Sequence, residues 1–100
     1  MIGAEAIPPL SFGNTMLVEI YGYATCYACV MARKLLDRRG YNYVYRDIKT
    51  DPAAKAEMLA RAPGVTTVPQ IFVDKRHIGG FEEFEEAERQ NIIQQIIGGQ

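Results

Sequence analysis

The chain of 100 residues has no tryptophan, a single histidine and only two cysteines. Two cysteines cannot build the disulfide framework of a small secreted domain, which typically uses four or more. With His77 as the sole histidine, a closed tetrahedral zinc site within one chain would have to recruit Asp or Glu. Neither charge is in excess: 11 basic side chains stand against 12 acidic ones, a formal −1, so the basic footprint of a nucleic-acid binder is missing. No apolar run approaches the roughly 20 residues of a bilayer span, and the first residues lack the basic segment and apolar stretch of a secretory signal. The expectation is a soluble, monomeric cytoplasmic protein with no nucleic-acid or membrane partner. What is there, 48% hydrophobic and 23% charged residues, suits one domain with a real core.

Residues 1–15 hold a Pro-Pro pair, two glycines and no periodicity, which predicts an arm of unknown role outside a domain spanning 16–100. Met16 stands where the pattern changes and is a candidate native start. A β-branched apolar run then ends at Gly22, and Cys26 opens a helical stripe that includes Val30, Met31, Leu35 and Leu36. Arg38, Arg39 and Gly40 are a favourable helix end. Alternation from Tyr41 through Arg46 predicts a strand with its tyrosines on one face, a sheet surface rather than a platform for bases. Asp51 and Pro52 open a second helix that Pro63 and Gly64 stop. Residues 68–73 and 77–79 predict a hairpin turned by Asp74, Lys75 and Arg76. Phe81, Phe84 and Ala87, continued by Ile92, Ile93, Ile96 and Ile97, predict a last helix interrupted around Gln90 and Asn91 and stopped by Gly98-Gly99. The order β-α-β-α-β-β-α implies an α/β fold, a mixed four-stranded sheet flanked by three helices.

Cys26 and Cys29 are separated by one helical turn, a spacing that lets two sulfurs meet without moving the backbone far. Cys26 also falls at a strand-to-helix junction, where unpaired N–H groups and the helix dipole favour a thiolate. Cys29, one turn inside, should be more buried. The asymmetry makes Cys26 the attacking nucleophile and Cys29 the resolving thiol. Three other readings stay open at this point: a zinc site completed by carboxylates, packed inert cysteines, and an iron–sulfur cluster held between two chains.

A CxxC beside a βαβ pattern, followed by Thr67-Val68-Pro69-Gln70-Ile71-Phe72-Val73 and His77-Ile78-Gly79-Gly80-Phe81-Glu82, resembles the glutaredoxin family over about residues 17–87. The resemblance implies a thioredoxin-like fold and a dithiol oxidoreductase whose reductant is glutathione. It implies a cis proline at Pro69, pairing of the Val68 backbone with the cysteinyl part of glutathione, and a γ-glutamyl site at Gly80, Phe81 and Glu82. Thr67, Tyr23 and Tyr27 complete the expected binding set. Glu82 would accept the ligand's ammonium, whereas Glu85, Glu86 and Glu88 are read as a solvated acidic face.

Two departures from the family pattern bear on function. Tyr27-Ala28 stands where Pro-Tyr is common, and relatives lacking that proline include cluster binders. Tyr23 and Val65 occupy places where the family often carries cations for the glycine carboxylate of glutathione, leaving Arg33, Lys34 or Arg61 as substitutes. A weakened glutathione site would suit relatives recharged by thioredoxin reductase, whereas the intact Gly79-Gly80-Phe81-Glu82 favours glutathione. His77 is assigned a structural role. Expected partners are glutathione and disulfide-containing or glutathionylated proteins. Ribonucleotide reductase is a client by family analogy only, and no metal is expected outside the dimeric cluster alternative.

Overall fold

The computed structural model describes residues 17–98. The arm at residues 1–15, Met16 as a start and Gly99 as part of the helix stop lie outside the described residues. Strand β1 (Val18–Gly22) is an inner strand of a four-stranded sheet ordered β2-β1-β3-β4. It runs parallel to β2 (Tyr43–Asp47), with Val18 opposite Tyr43 and Gly22 opposite Asp47, and antiparallel to β3 (Gln70–Val73). Helix α1 (Tyr27–Arg39) makes the crossover that a parallel pair demands. Strand β4 (Arg76–Gly79) pairs antiparallel with β3 through a turn in which Asp74 and Lys75 both take left-handed φ, 51° and 72°. That pair of positive φ values matches the twist of a two-residue hairpin.

The two-residue period of the strands divides the core. Val18, Ile20, Ile71 and Val73 point to one face, where they meet Ala32, Leu35 and Leu36 of α1, Phe84 and Ala87 of α3 (Phe81–Arg89), and Ile93 and Ile96 of α4 (Ile92–Gly98). Tyr21 and Phe72 point to the other, against Met58 of α2 (Pro52–Arg61) and Ala62 just beyond it. Tyr41, Tyr43 and Tyr45 pack against the first cluster, so their rings belong to the core.

The last helix is in fact two. Asn91 takes φ 62°, a left-handed conformation that asparagine tolerates, and breaks the segment where the sequence marks an interruption. Among the described residues four helices therefore flank the sheet, the expected third one being divided in two. Asp51 caps α2 by accepting the Ala53 N–H at 3.0 Å, with Pro52 at the first helical position, and Gly40 at φ 73° closes α1. Glu88 corrects the expectation of a solvated face. Its side chain is 8% exposed, pairs with Arg39 at 3.0 Å and accepts the Tyr41 hydroxyl at 2.6 Å. Burial and then this hydrogen bond push the Tyr41 hydroxyl up to about 12. Among the described residues no helix is long and apolar enough to cross a membrane.

Candidate active site

Parallel pairing brings the C-terminal ends of β1 and β2 to the same edge of the sheet, and Cys26 stands just beyond that edge. Cys26 is the N-cap of α1, with extended backbone at φ −85° and ψ 118°, and its Sγ accepts the Cys29 N–H at 3.1 Å. Sulfur here takes the place of the oxygen that usually satisfies an orphan helix amide. A sulfur anion is the stronger acceptor for that amide. On the other side, the Cys26 thiol donates to the Val68 carbonyl oxygen at 3.7 Å.

Both cysteines are free thiols, Cys26 partly exposed and Cys29 only 1% exposed. Burial, followed by the hydrogen bond to Cys26, pushes the Cys29 thiol up to about 12. The seat of that second sulfur is cut very close. A Cβ on Gly22 would lie 2.5 Å from Cys29 Sγ, so the last residue of β1 must lack a side chain.

The loop facing the sulfurs is fixed from below. The Val68–Pro69 peptide is cis and the Pro69 ring is fully buried. Gln70, 4% exposed, donates through Nε2 to the Thr67 carbonyl at 2.9 Å, and its Oε1 meets His77 Nε2 at 2.7 Å. Because that Oε1 can only accept, His77 carries its proton on Nε2. The imidazole stacks on Phe72 with centroids 4.8 Å apart, an anchoring position rather than a reacting one.

The tip of α3 closes the site from the remaining side. Glu83 reaches back to accept the Gly80 N–H at 2.9 Å, half of a capping box that glycine cannot reciprocate. Gly79 sits at φ 123°, and a Cβ on Gly80 would meet Glu83 Oε1 at 3.1 Å and the Pro69 carbonyl oxygen at 3.5 Å. The two glycines thus let the helix tip approach the proline loop.

Two grooves meet at Val68. One, of about 620 Å³, brings together Tyr27, Thr67, Val68, Pro69, Gly80, Phe81 and Glu82. The other, of about 530 Å³, holds Tyr23 with Cys26, Lys55, Val65 and Thr66. Every binding residue expected from the sequence lines one of them, and Tyr27, 77% exposed, stands open to a ligand.

The cations fall elsewhere than expected. Arg61 is engaged with Glu19 through two hydrogen bonds of 3.0 Å, and Arg33 lies 4.1 Å over the Tyr45 ring. Lys34, exposed on α1, lines neither groove. Lys55 instead lines the groove with Cys26, while Lys49 Nζ lies 4.1 Å from the centre of the Tyr23 ring. The usable signal was topological: loops that follow two parallel strands share an edge, so residues after β2 come beside residues after β1. For the zinc alternative, no three His, Cys, Asp or Glu side chains among the described residues are placed to hold a metal.

The glutaredoxin family model matches residues 18–78. The chain belongs to the glutaredoxin family. It is 40% identical over 84 residues to glutaredoxin 1 of Salmonella typhimurium, covering 77% of this chain and 95% of that one. It is 44% identical over 66 residues to glutaredoxin 3 of Escherichia coli, covering 66% of this chain and 78% of the relative. Among solved structures, the buckwheat glutaredoxin–glutathione complex is similar with a TM-score of 0.72 at 25% identity, covering 86% of this chain and 80% of that one. The fold is thioredoxin-like and the chemistry is thiol–disulfide oxidoreduction, with Cys26 and Cys29 as the CxxC pair.

Proposed function

We propose that the chain is a glutathione-dependent dithiol oxidoreductase acting on protein disulfides and protein–glutathione mixed disulfides. The observation that carries this reading is Cys26 Sγ at the helix tip, 3.1 Å from the Cys29 amide and lining one of two grooves that meet at Val68. With a glutathionylated client, the Cys26 thiolate attacks the glutathionyl sulfur and the client leaves as its thiolate. A second glutathione thiolate then attacks that same sulfur, yielding glutathione disulfide and restoring Cys26. With a client disulfide, Cys26 forms a mixed disulfide, Cys29 attacks Cys26 Sγ, and the client thiolate departs. Two glutathiones reduce the resulting Cys26–Cys29 bond, a transfer suited to the roughly −200 to −230 mV typical of glutaredoxins.

In this reading the γ-glutamyl end of glutathione lies at Gly80, Phe81 and Glu82, the cysteinyl part pairs with the Val68 backbone, and Thr67, Pro69 and Tyr27 border it. The glycine carboxylate extends toward Tyr23, where Lys55 and Lys49 supply the positive charge. The bound glutathione of the buckwheat relative supports the ligand class. Clients are other proteins in a reducing compartment, the cytoplasm; ribonucleotide reductase remains a family analogy.

The test is reduction of a mixed-disulfide substrate with glutathione and glutathione reductase, repeated with thioredoxin reductase as the electron source. Turnover with glutathione is the expected result. Turnover with thioredoxin reductase alone would replace glutathione as the donor, and a brown dimer after anaerobic purification would shift the reading to a cluster carrier.

A further inference from the structure

Behind the second sulfur lies a polar pair that the proposed reaction has not used. The Tyr45 hydroxyl and the Arg33 Nε are buried and have no hydrogen-bond partner. Buried polar atoms are nearly always satisfied, and those that are not call for an explanation. The Arg33 guanidinium lies 4.1 Å over the Tyr45 ring, one helical turn beyond Cys29 on α1. Tyr45 Cε1 and Cys29 Sγ flank one point, the place of a Gly22 Cβ, at 3.8 and 2.5 Å. The edge of the Tyr45 ring therefore lies beside the resolving sulfur, and the two groups act on each other electrostatically.

We propose that Tyr45, assisted by Arg33, is a positioning residue for the resolving step: its hydroxyl donates a hydrogen bond to the Cys29 thiolate. In the resting dithiol the hydroxyl has no partner within hydrogen-bond reach, Cys29 Sγ included, so the bond forms only as that sulfur ionises and shifts for attack. Closure needs the anion. The Cys29 proton leaves to solvent, the thiolate attacks Cys26 Sγ, the bond from Cys26 to the client breaks, and the client sulfur takes the electron pair and then a proton. Tyr45 keeps its own proton throughout, consistent with burial raising its hydroxyl. The charged or titratable groups bearing on Tyr45 are Asp47, Arg33, Cys29 and Cys26; those bearing on Arg33 are Tyr43, Tyr45 and Asp37. Cys29 itself feels Cys26 and Arg33.

The inference rests on the dithiol reading and is tested separately from it. Protein glutathionylated at Cys26 is allowed to close its own disulfide, and glutathione release is followed against pH for wild type, Tyr45→Phe and Arg33→Gln. Tyr45→Phe should move half-maximal closure upward by about one pH unit, which at neutrality lowers the ratio of closure to Cys26-only turnover about tenfold. Arg33→Gln should move it the same way, and it decides the matter should Tyr45→Phe not fold. Wild-type closure profiles in the folded variants overturn the proposal. So does an equal fall in closure and Cys26-only turnover, which is the mark of a merely structural role. Failure of the dithiol reading is a different result: closure would be absent from the wild-type protein too.

Discussion

Gly22 and Cys29 stand so close that the strand's last residue cannot carry a side chain while the second sulfur keeps its place: a Cβ on Gly22 would come within 2.5 Å of Sγ and 3.2 Å of the Cys29 Cβ. Both contacts are with the stiff root of a buried side chain, so the sulfur or the strand must move. Gly22→Ala should destabilise the fold by about 1–3 kcal/mol, as overpacking does, measured by urea unfolding. It should also slow protein-disulfide reduction more than Cys26-only turnover, because the displaced atom is the resolving one. A variant of wild-type stability with both activities intact would refute this packing argument.

The two sulfurs should separate by substitution. Cys26→Ser is expected to abolish turnover on every substrate, whereas Cys29→Ser should retain deglutathionylation and lose protein-disulfide reduction. Equal loss of both activities in Cys29→Ser would contradict the division of labour.

The buried thiol also sets a pH dependence. Because Cys29 is raised to about 12 from an ordinary 9.0, the native state holds a proton that the unfolded chain releases between those values. Stability from this group is complete below pH 9 and declines as pH rises toward 12. The stability difference between wild type and Cys29→Ser should therefore shrink along that alkaline ramp, read by denaturant unfolding at successive pH values. A difference independent of pH would mean that the thiol is not protected.

Lys55 is expected to act on affinity. Lys55→Glu should raise KM for glutathione several-fold with a smaller change in kcat, and added salt should narrow the gap because the contact is screened. A salt-insensitive KM equal to that of wild type would remove Lys55 from the site.

Glu88 ties α3 to the end of α1 through Arg39 and Tyr41. Glu88→Ala strips two partners from a nearly buried position and should cost about 1–3 kcal/mol. Combined with Tyr41→Phe the loss should be less than additive, since both changes break the same bond. Strict additivity in a double-mutant cycle would show that the bond contributes nothing.

Much of this was legible in the sequence because it depends on local chemistry. Cys26 at a helix start, Pro52 after Asp51 and the break near Asn91 each follow from what one or two residues can do with their own backbone. The β-branched run ending at Gly22 reads as a strand on its own, whereas the division of Val18 and Ile20 from Tyr21 between two faces comes from the structure. The misses share a different cause. Glu88 reads as solvated because it closes a run of acidic residues with Glu85 and Glu86, and only the packing of α3 against α1 reveals Arg39 and Tyr41 around it. Arg61 reads as a free cation until Glu19 is brought across from β1. Charge in a sequence has a sign but no location, so the placement of Lys55 of α2 on the groove with Tyr23 and Val65, and of Lys49 against the Tyr23 ring, emerges only when residues after β2 meet residues after β1.

Since β1 is paired along both sides, the sulfurs hang from the part of the sheet least free to fray. Cycling between dithiol and disulfide is then expected to be an event of one corner, from Gly22 to the first turn of α1. In deuterium-labelling terms, amides of the inner strand should remain protected in both redox forms, while those following Cys26 alone register which form is present. The enzyme carries its redox pair at its rim and its architecture beneath.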